Sequence, residues 1–386
     1  MIFRFAPLVV SGLLLALFVS PPAGAIETAA KQVIVVDVAT GTVMLEKNAD
    51  ELMAPASMTK IMTANLVFDR LNDGRLSLQD TLPVSENAWR KGGSKMFVRV
   101  GNEVAVADLL RGIIIQSGND ASIVIAEALG GSESAFGDLM TEKAREIGMT
   151  ETTFRNATGW PDPEHLTTAR DMARLAAYTV QTYPEFYHLY GEKSFTYNKI
   201  KQGNRNPLLY KDLGADGLKT GHTELSGYGL TASVKRGDRR IVLVINGLTS
   251  VNERSGEAQR LITWAYREFA NYELFKSGEE IEKAAVWMGQ NADVGLVLDG
   301  ALTLTVPRAG RRKMEVKVVV DEPVPAPIKA GDRIAKLVIT APDMVPAERP
   351  LFAATDVAEL DFVGRVGASL KHIIFGAAES VRASAQ

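Results

Sequence analysis

Two β-rich segments, separated by a long helical stretch, are the feature that most restricts how this chain can fold. The first segment contains the apolar runs Val33–Val38 and Thr42–Glu46, which read as a hairpin. The second contains Gly217–Thr223, Tyr228–Val234 and Arg240–Ile245, which read as antiparallel strands. Because strands and helices occur in separate runs, the pattern predicts an α+β unit whose sheet combines strands from both ends of this region.

The middle region carries helical periodicity and the signals that start helices. Ser57 follows Pro55 at the beginning of an apolar-periodic stretch, which places Ser57 near a helix N-terminus. Asp108 is expected to cap a second helix, and Ser122–Leu129 forms a third. A terminal helix over Gly256–Phe269 should pack back on the sheet.

The pattern changes near Lys276–Gly278. From Lys283 to about Glu359 the sequence becomes short β-like runs interrupted by proline and glycine, which predicts a small all-β module. We therefore expect a main unit over residues 26–278, a β-rich domain over 279–360 and a terminal helix over 361–386.

The terminal segment is amphipathic. Its charged residues, among them Arg365 and Lys371, face away from an apolar arc, which is typical of a helix that lies on a membrane surface. The alternative is a helix that docks on the β-rich domain. The apolar arc consists of Val363, Val366, Leu370, Ile373, Ile374, Ala377 and Val381.

The N-terminus has the features of an export signal. Arg4 precedes an apolar run over Leu8–Val19, and small residues around Ala25 form a cleavage signature, so we expect a signal peptide over 1–25 and a mature chain from Ile26. The alternative is an uncleaved anchor. The 386-residue sequence has no cysteine, which excludes disulfides, a thiolate nucleophile and Cys-ligated zinc, and its net charge of -3 gives no basic field for nucleic acid.

Ser57 and Lys60 form a Ser-x-x-Lys pair. Such a pair is expected about once by chance in a chain of this length, so its context carries the argument. Positions three apart share a helix face, which lets the lysine amine reach the serine hydroxyl where the helix N-terminus favours negative charge. Burial or a second cation, such as Lys219, would lower the lysine pKa enough for it to act as a base.

Two further motifs fit this chemistry. Ser117-Gly118-Asn119 places a hydroxyl and an amide on a turn between helices, although such a turn is common. Lys219-Thr220-Gly221 lies on a predicted strand, where a cation and a hydroxyl could bind a carboxylate while Gly221 allows close backbone approach. The backbone N–H groups of His222 and Ser57 would form an oxyanion hole, worth about 3 kcal/mol per donor.

These motifs, in this order, resemble those of the penicillin-recognising serine enzymes. The surrounding segments are similar to the D-alanyl-D-alanine carboxypeptidases, the low-molecular-mass penicillin-binding proteins. The resemblance covers nearly the whole mature chain and implies a β-lactamase/transpeptidase-like catalytic domain, a β-rich domain and a membrane-binding tail. The segments that carry it are Pro55–Thr63, Gln116–Ala121, Thr167–Ala173, Asn204–Asn206 and Asp216–Thr223.

The resemblance implies a reaction and a role for each residue. Ser57 attacks the penultimate D-Ala carbonyl of a peptidoglycan stem pentapeptide, the terminal D-Ala leaves, and water hydrolyses the acyl-enzyme; penicillins acylate the same serine. The enzyme would work without a cofactor or metal, at the periplasmic face of the inner membrane. In the implied roles Lys60 is the base, Ser117 relays the proton and Asn119 holds the substrate amide. Lys219 and Thr220 bind the terminal carboxylate. Gly221 and His222 lie beside them in the substrate-binding site, and Arg205 lies near the carboxylate.

Three other functions compete with this one. A class A β-lactamase would need a glutamate that positions water, but Pro163–Thr167 lacks the Glu-x-x-Leu-Asn pattern. A D,D-endopeptidase generally lacks the β-rich domain and tail. A non-catalytic wall-binding protein would have little reason to retain the five polar residues of the motifs. His222 is more economically explained by its backbone than as a base, and His165 is expected to be a loop residue, because no metal spacing surrounds it.

Overall fold

The computed structural model describes residues 26–320, 323–342 and 344–371. Its strands are β1 Gln32–Asp37, β2 Val43–Lys47, β3 Thr81–Pro83, β4 Glu103–Ala105, β5 Ser194–Tyr197, β6 Ile200–Gly203, β7 Ala215–Thr223, β8 Gly227–Arg236, β9 Arg239–Leu248, β10 Phe269–Phe275, β11 Glu282–Trp287, β12 Asp293–Val297, β13 Leu302–Pro307, β14 Glu315–Val320, β15 Val324–Pro325, β16 Arg333–Thr340 and β17 Ala347–Ala353. Its α-helices are α1 Lys60–Asn72, α2 Glu86–Arg90, α3 Val106–Ile114, α4 Asn119–Gly130, α5 Glu133–Glu146, α6 Ala169–Thr182, α7 Pro184–Tyr187, α8 Val251–Glu268 and α9 Phe362–Lys371.

A five-stranded antiparallel sheet organises the main unit. Its strand order is β2-β1-β9-β8-β7, so the N-terminal hairpin pairs with the last strands of the region. Side chains alternate between the two faces of a strand, and here Val33 and Val35 join one core while Ile34 joins the other. Helix α8 covers the first face, and the helical region with α1 and α6 covers the second. The α+β prediction, with a sheet built from both ends, is confirmed.

Two predicted helix starts were wrong by several residues, and the helix predicted over Ser122–Leu129 is α4, which begins earlier, at Asn119. Helix α8 begins at Val251 rather than at Gly256, because Ser250 accepts a hydrogen bond from the Glu253 N–H and Glu253 in turn accepts one from the Thr249 N–H. Helix α3 begins at Val106, so Asp108 lies in its first turn, where a carboxylate favours the helix dipole, instead of capping it. In both cases the sequence signal was real but its position in the helix was misassigned.

The β-rich region after α8 has its own core. A six-stranded sheet has the order β14-β16-β17-β12-β11-β15, and β10 pairs with β13 beside it. Leu296, Leu337 and Leu351 are fully buried in this core. Contact with the main unit includes a hydrogen bond of 2.6 Å between the hydroxyls of Thr40 and Thr305. The small all-β module, predicted from short β-like runs interrupted by proline and glycine, is therefore present.

Helix α9 follows the β-rich region. Phe362 and Val363 are 74% and 76% exposed, and Arg365 pairs with Glu359 at 2.7 Å. In the parts of the chain that the structure describes, no helix has the length and apolar character needed to cross a membrane. The predicted signal peptide over 1–25 and the predicted continuation of the terminal helix beyond Lys371 lie outside the described residues.

Candidate active site

Ser57 lies in a 3-10 turn, Ala56–Thr59, that leads directly into α1. Ala56 has a φ of +47°, a left-handed conformation that is uncommon for residues with a side chain. The Ser57 side chain is half-buried, and its Oγ lies 3.0 Å from Lys60 Nζ. The turn and the first helical residue thus bring the two groups of the Ser-x-x-Lys motif into contact, as their spacing predicted.

Lys60 is buried, with 1% of its surface exposed. Besides Ser57, its Nζ contacts Asn119 Oδ1 at 2.8 Å and the carbonyl oxygen of Thr158 at 2.5 Å. Burial is the main cause that lowers the pKa of Lys60 to about 7, and the positive charge of Arg205 adds to it. An amine that titrates near neutral pH can exchange a proton with the neighbouring hydroxyl.

The Ser117–Asn119 segment forms the turn between α3 and α4. Ser117 has a φ of +61°, and its buried Oγ has no hydrogen-bond partner among the described residues. Asn119 donates from Nδ2 to the Gly92 carbonyl at 2.9 Å while its Oδ1 accepts from Lys60. The turn therefore supplies one unpaired hydroxyl and one amide that already bridges Lys60 to a neighbouring loop.

Asp120 fixes that loop. Its carboxylate accepts hydrogen bonds from the N–H groups of Met96, Phe97 and Val98 at 2.8 to 3.2 Å. The side chain is 1% exposed, so these charge-assisted bonds are shielded from water. The loop that follows Gly92 is consequently held against the start of α4.

The Lys-Thr-Gly motif lies on β7, one of the two edge strands of the five-stranded sheet. Lys219 is 2% exposed, and burial, reinforced by the charge of Lys60, lowers its pKa well below the ordinary value. Gly221 lies against the nucleophile turn, because a Cβ there would come within 2.8 Å of the Pro55 carbonyl oxygen. As an edge strand, β7 leaves alternate backbone N–H groups free of β8 on the side that faces this turn.

Two arginines extend the positive charge. Arg205 donates to the Ser94 hydroxyl at 2.6 Å, and its pKa is lowered by burial. Arg254, on α8, is 5% exposed, and its Nε has no partner in the described part of the chain. Both charges lower the pKa of Lys219. Lys60, Lys219, Arg205 and Arg254 thus bring four basic groups together, and none of them belongs to an ion pair within the described residues.

His222 is exposed at the end of β7 and stacks on Tyr228, with 3.9 Å between ring centroids. Its side chain contacts neither Ser57 nor Lys60 through any hydrogen bond in the described structure. A groove of about 600 Å³ runs past it, and its lining includes Ser57, Asn119, Trp160 and Leu225. In the described ranges no cluster of three or more His, Asp or Glu side chains has the arrangement of a metal site.

The structure brings together Ser57, Lys60 and Asn119 through direct hydrogen bonds, and it sets Lys219 and Arg205 close enough to affect a pKa in the site. Sequence reasoning missed the Thr158 carbonyl, which no side-chain motif encodes. It also missed Arg254, although a signal existed. Arg254, Ala258, Leu261 and Ala265 follow the buried helical spacing of α8, and a charged residue on such a stripe is unusual.

Glu164 and His165 are adjacent in the chain but differ in solvent exposure. The Glu164 carboxylate pairs with Arg155 at 3.2 Å and is 72% exposed. His165 lies in a loop, as expected, but it is buried, with 2% of its surface exposed.

Comparison with known proteins identifies similar chains over both regions. The family model for D-alanyl-D-alanine carboxypeptidase matches residues 18–249, and the model for the penicillin-binding protein 5 C-terminal domain matches residues 269–359. The D-alanyl-D-alanine carboxypeptidase DacC of Escherichia coli strain K12 is 38% identical over 341 residues, which cover 86% of this chain and 85% of DacC.

Solved structures give the same result. Penicillin-binding protein 5 from Haemophilus influenzae is 33% identical with a TM-score of 0.79, over 88% of this chain and 100% of that one. Penicillin-binding protein D2 from Listeria monocytogenes, in its ampicillin-bound form, is 27% identical with a TM-score of 0.58, over 62% of this chain and 98% of that one.

Proposed function

Because this chain belongs to the D-alanyl-D-alanine carboxypeptidase family, we propose that Ser57 is the nucleophile of its reaction and Lys60 the base. The chain is a serine hydrolase of the penicillin-binding class. The observation that supports our assignment is the set of three contacts around Lys60 Nζ. The roles of the remaining residues follow from where they lie around this pair.

The three contacts can accommodate a neutral amine that accepts the serine proton, and burial, which lowers the pKa of Lys60, makes that form accessible. A neutral amine has two N–H donors and one lone pair, and two of its three neighbours, Asn119 Oδ1 and the Thr158 carbonyl, can only accept. These two take both N–H groups, so the lone pair faces the Ser57 hydroxyl at 3.0 Å. With a pKa of about 7, a substantial fraction of Lys60 is neutral at physiological pH.

In the proposed acylation, Ser57 Oγ passes its proton to Lys60 Nζ and bonds to the carbonyl carbon of the penultimate D-Ala. The backbone N–H groups of Ser57 and His222 hold the developing oxyanion. The carbon–nitrogen bond then breaks, and the proton reaches the leaving amine through the Ser117 hydroxyl. D-Ala leaves, and water attacks the ester to release the shortened peptide and restore Ser57.

We further propose that the substrate's terminal carboxylate binds at Lys219 and Thr220, with Arg205 and Arg254 contributing charge. Arg205 and Arg254 lie close enough to Lys219 to lower its pKa, Arg205 donates to Ser94 at the edge of the groove, and the Nε group of Arg254 has no partner in the described structure. A carboxylate there would offset their repulsion and accept their hydrogen bonds. Gly221 lets β7 approach the nucleophile turn, which would align the carboxylate and the scissile bond with Ser57.

The alternatives are less well supported. A class A β-lactamase mechanism needs a glutamate beside the acyl-enzyme, and Glu164 is engaged with Arg155 at the surface. A non-catalytic wall-binding role would not account for a buried lysine held in contact with a serine hydroxyl. A D,D-endopeptidase would use the same nucleophile, and the product released from a cross-linked peptide distinguishes it.

The domain division and location are also proposals. We propose that residues 26–278 form the catalytic domain, 279–360 a β-rich domain and 361–386 a membrane-associated helix, after removal of a signal peptide over 1–25. The separate cores of the two described regions support a division into two domains, and the pairing of β10 with β13 places residues 269–275 with the β-rich one. Exposed Phe362 and Val363 on α9 support association of the tail with the outer leaflet of the inner membrane, facing the periplasm.

Intact-mass measurement after benzylpenicillin treatment tests the proposal. The wild type should gain one penicilloyl group, Ser57→Ala none, and the wild type should release D-Ala from a peptide that ends in D-Ala-D-Ala. A wild type without an adduct would overturn the assignment of Ser57. An adduct that clears within seconds would instead favour the β-lactamase, and cleavage confined to cross-linked peptides would favour the endopeptidase.

A further inference from the structure

His165 lies outside the groups that carry the proposed reaction, yet both of its ring nitrogens are used. Nδ1 lies 3.0 Å from the Arg155 backbone nitrogen, and Nε2 lies 2.8 Å from Thr59 Oγ1. The ring meets Phe154 edge-on, with 5.5 Å between centroids. A buried histidine with two specific partners in different segments joins those segments.

The partners determine the protonation state. The Arg155 N–H can only donate, so Nδ1 must accept with its lone pair. The proton of the neutral ring therefore resides on Nε2, which donates to the Thr59 hydroxyl. An imidazolium would direct a second N–H at the Arg155 N–H, so protonation breaks the contact.

The charges around the ring agree with a neutral state. Burial lowers the pKa of His165 to about 4 against the opposing effect of Asp162, and Lys60 and Arg155 lower it further. Glu164, the residue before His165, is paired with Arg155 and does not neutralise a His165 imidazolium. At neutral pH the ring is uncharged.

The two joined segments are the nucleophile turn and the loop that carries the Thr158 carbonyl. Thr59 is the last residue of the turn that contains Ser57. The loop is rigid within itself, because Asn156 Oδ1 accepts from the N–H groups of Thr158, Gly159 and Trp160. It is also tied to α1, where Thr63 donates to the Ala157 carbonyl at 2.7 Å.

Close packing against the nucleophile turn leaves little space for this loop to move. Gly159 has a φ of +78°, and a Cβ there would overlap the carbonyl oxygen of Ala56. Thr158, one residue earlier, supplies one of the two acceptors that orient Lys60 Nζ. A small displacement of the loop would therefore remove an acceptor from Lys60 and admit water beside it.

We propose that His165, in its neutral form, is a positioning residue that fixes the Thr158 loop against the nucleophile turn and thereby keeps the Lys60 amine aligned with Ser57. This inference rests on the proposed role of Lys60 as the base. His165 touches no reacting atom and acts only through Thr59 and the loop.

Three variants separate positioning from mere stability. His165→Gln can keep both contacts, since its amide oxygen accepts and its amide nitrogen donates at a separation close to that of the ring nitrogens. His165→Asn, which is shorter, can keep the Arg155 contact but cannot reach Thr59. Thr59→Val removes the acceptor from the other side with little change in volume.

The primary measurement is the second-order rate of benzylpenicillin acylation as a function of pH. We expect His165→Asn and Thr59→Val each to lower the rate at pH 7 about tenfold and to move the midpoint of the pH profile upward by about one unit, because water beside Lys60 relieves its desolvation. The double variant should be no slower than the slower single variant. His165→Gln should remain within about threefold of the wild type.

Thermal unfolding gives a second readout that does not need activity. In the unfolded state the histidine has a pKa near 6.5, whereas the buried ring has a pKa of about 4. Between these pH values the unfolded chain binds a proton that the folded protein does not. The melting temperature of the wild type should therefore fall relative to that of His165→Gln as the pH is lowered from about 6.5 to about 4. Above about pH 6.5 the difference between the two melting temperatures should stay constant.

Specific results would overturn the inference. If His165→Asn has a lower melting temperature but an unchanged acylation rate and pH midpoint, the contact is structural and positions nothing. If His165→Gln is as slow as His165→Asn, the two hydrogen bonds are not the cause. Failure of the proposed function has a different signature, because the wild type itself would then form no adduct.

Discussion

Lys60 is placed where its charge is costly. The side chain is buried, and the groups at its Nζ are a hydroxyl, an amide oxygen and a backbone carbonyl rather than a carboxylate. Neutral acceptors repay only part of the lost hydration of an ammonium ion, so the deprotonated form becomes accessible near neutral pH. The catalytic property therefore belongs to the surroundings of this lysine rather than to its residue type.

This environment predicts the pH dependence of acylation. Protonated Lys60 cannot accept the Ser57 proton, so the acylation rate should rise with pH, with a midpoint at about 7, and level off above it. Well below the midpoint each pH unit should lower the rate about tenfold. Benzylpenicillin stays a carboxylate throughout, so stopped-flow acylation between about pH 5 and pH 9 reports the enzyme group. A flat profile across neutrality would contradict the role of Lys60.

The surroundings of Lys219 also disfavour its charged form. Burial and the charges of Lys60, Arg205 and Arg254 all lower its pKa. A bound carboxylate would reverse this effect, because an opposite charge at contact distance favours the ammonium form. The free site and the occupied site should therefore differ in protonation.

We expect carboxylate binding to draw up to about one proton onto Lys219 at mildly alkaline pH. Calorimetric titration of Ser57→Ala with an N-acetylated D-Ala-D-Ala peptide, in two buffers of different ionisation enthalpy, measures this uptake. The same peptide with an amidated terminus is the matched control and should bind weakly without uptake. Equal enthalpies in the two buffers for the carboxylate peptide would show that Lys219 is already charged in the free enzyme.

At the scale of elements, the site depends on how closely an edge strand approaches a turn. Strand β7 lies beside the Ala56–Thr59 turn, and a Cβ on Gly221 would lie 2.8 Å from the Pro55 carbonyl and 3.2 Å from Met58 Cγ. Backbone atoms yield little to such a contact. The absence of a side chain at Gly221 therefore sets the distance between the carboxylate-binding strand and the nucleophile.

Gly221→Ala should move β7 away from the turn and lower the acylation rate by at least about tenfold while the protein remains folded. Gly256→Ala is the matched control, because a Cβ there meets nothing within 4 Å and alanine favours the helix. The control should acylate normally and gain about 0.5–1 kcal/mol of stability. Equal acylation rates for the two variants would refute the close-approach argument.

In the molecule as a whole, the candidate active site and the terminal helix α9 lie in different regions. The groups of the candidate site lie on elements between the Ala56–Thr59 turn and α8, whereas α9 follows the β-rich region and exposes Phe362, Val363 and Val366. The contacts between the two regions include the hydrogen bond of Thr40 with Thr305 and the edge-on contact of Trp264 with Phe269. The tail can therefore be changed without touching the site.

A chain that ends at Asp361 should acylate with benzylpenicillin at the wild-type rate and melt within a few degrees of it. It should no longer sediment with vesicles that contain anionic lipid, whereas the mature full-length chain should. The charge-neutral variant Val363→Gln, placed on the apolar arc, should weaken sedimentation in the same direction. Continued vesicle binding by the shortened chain would assign the contact to another surface.

Much of the architecture could be predicted from local patterns. The β1–β2 hairpin, the turn at Ser117 and the strand with Lys219 all follow from signals within a few residues of each other. Helix starts were less secure, because Gly256 resembles a helix breaker until Ser250 and Glu253 are recognised as a capping pair. His165 was predicted to be a loop residue, which is correct, but its burial has no local signal.

By itself, the sequence determined which residue types stand three apart at a helix start, which motifs follow in order, and that strands from both ends share one sheet. These properties depend on spacing along the chain. Tertiary structure alone decided the state of Lys60, because the Thr158 carbonyl that orients it comes from 98 residues away. It also decided the contact between Thr59 and His165, 106 residues apart, and the burial of Arg254. Desolvation and backbone acceptors arise only when distant segments pack together, and that packing makes Ser57 and Lys60 a reactive pair.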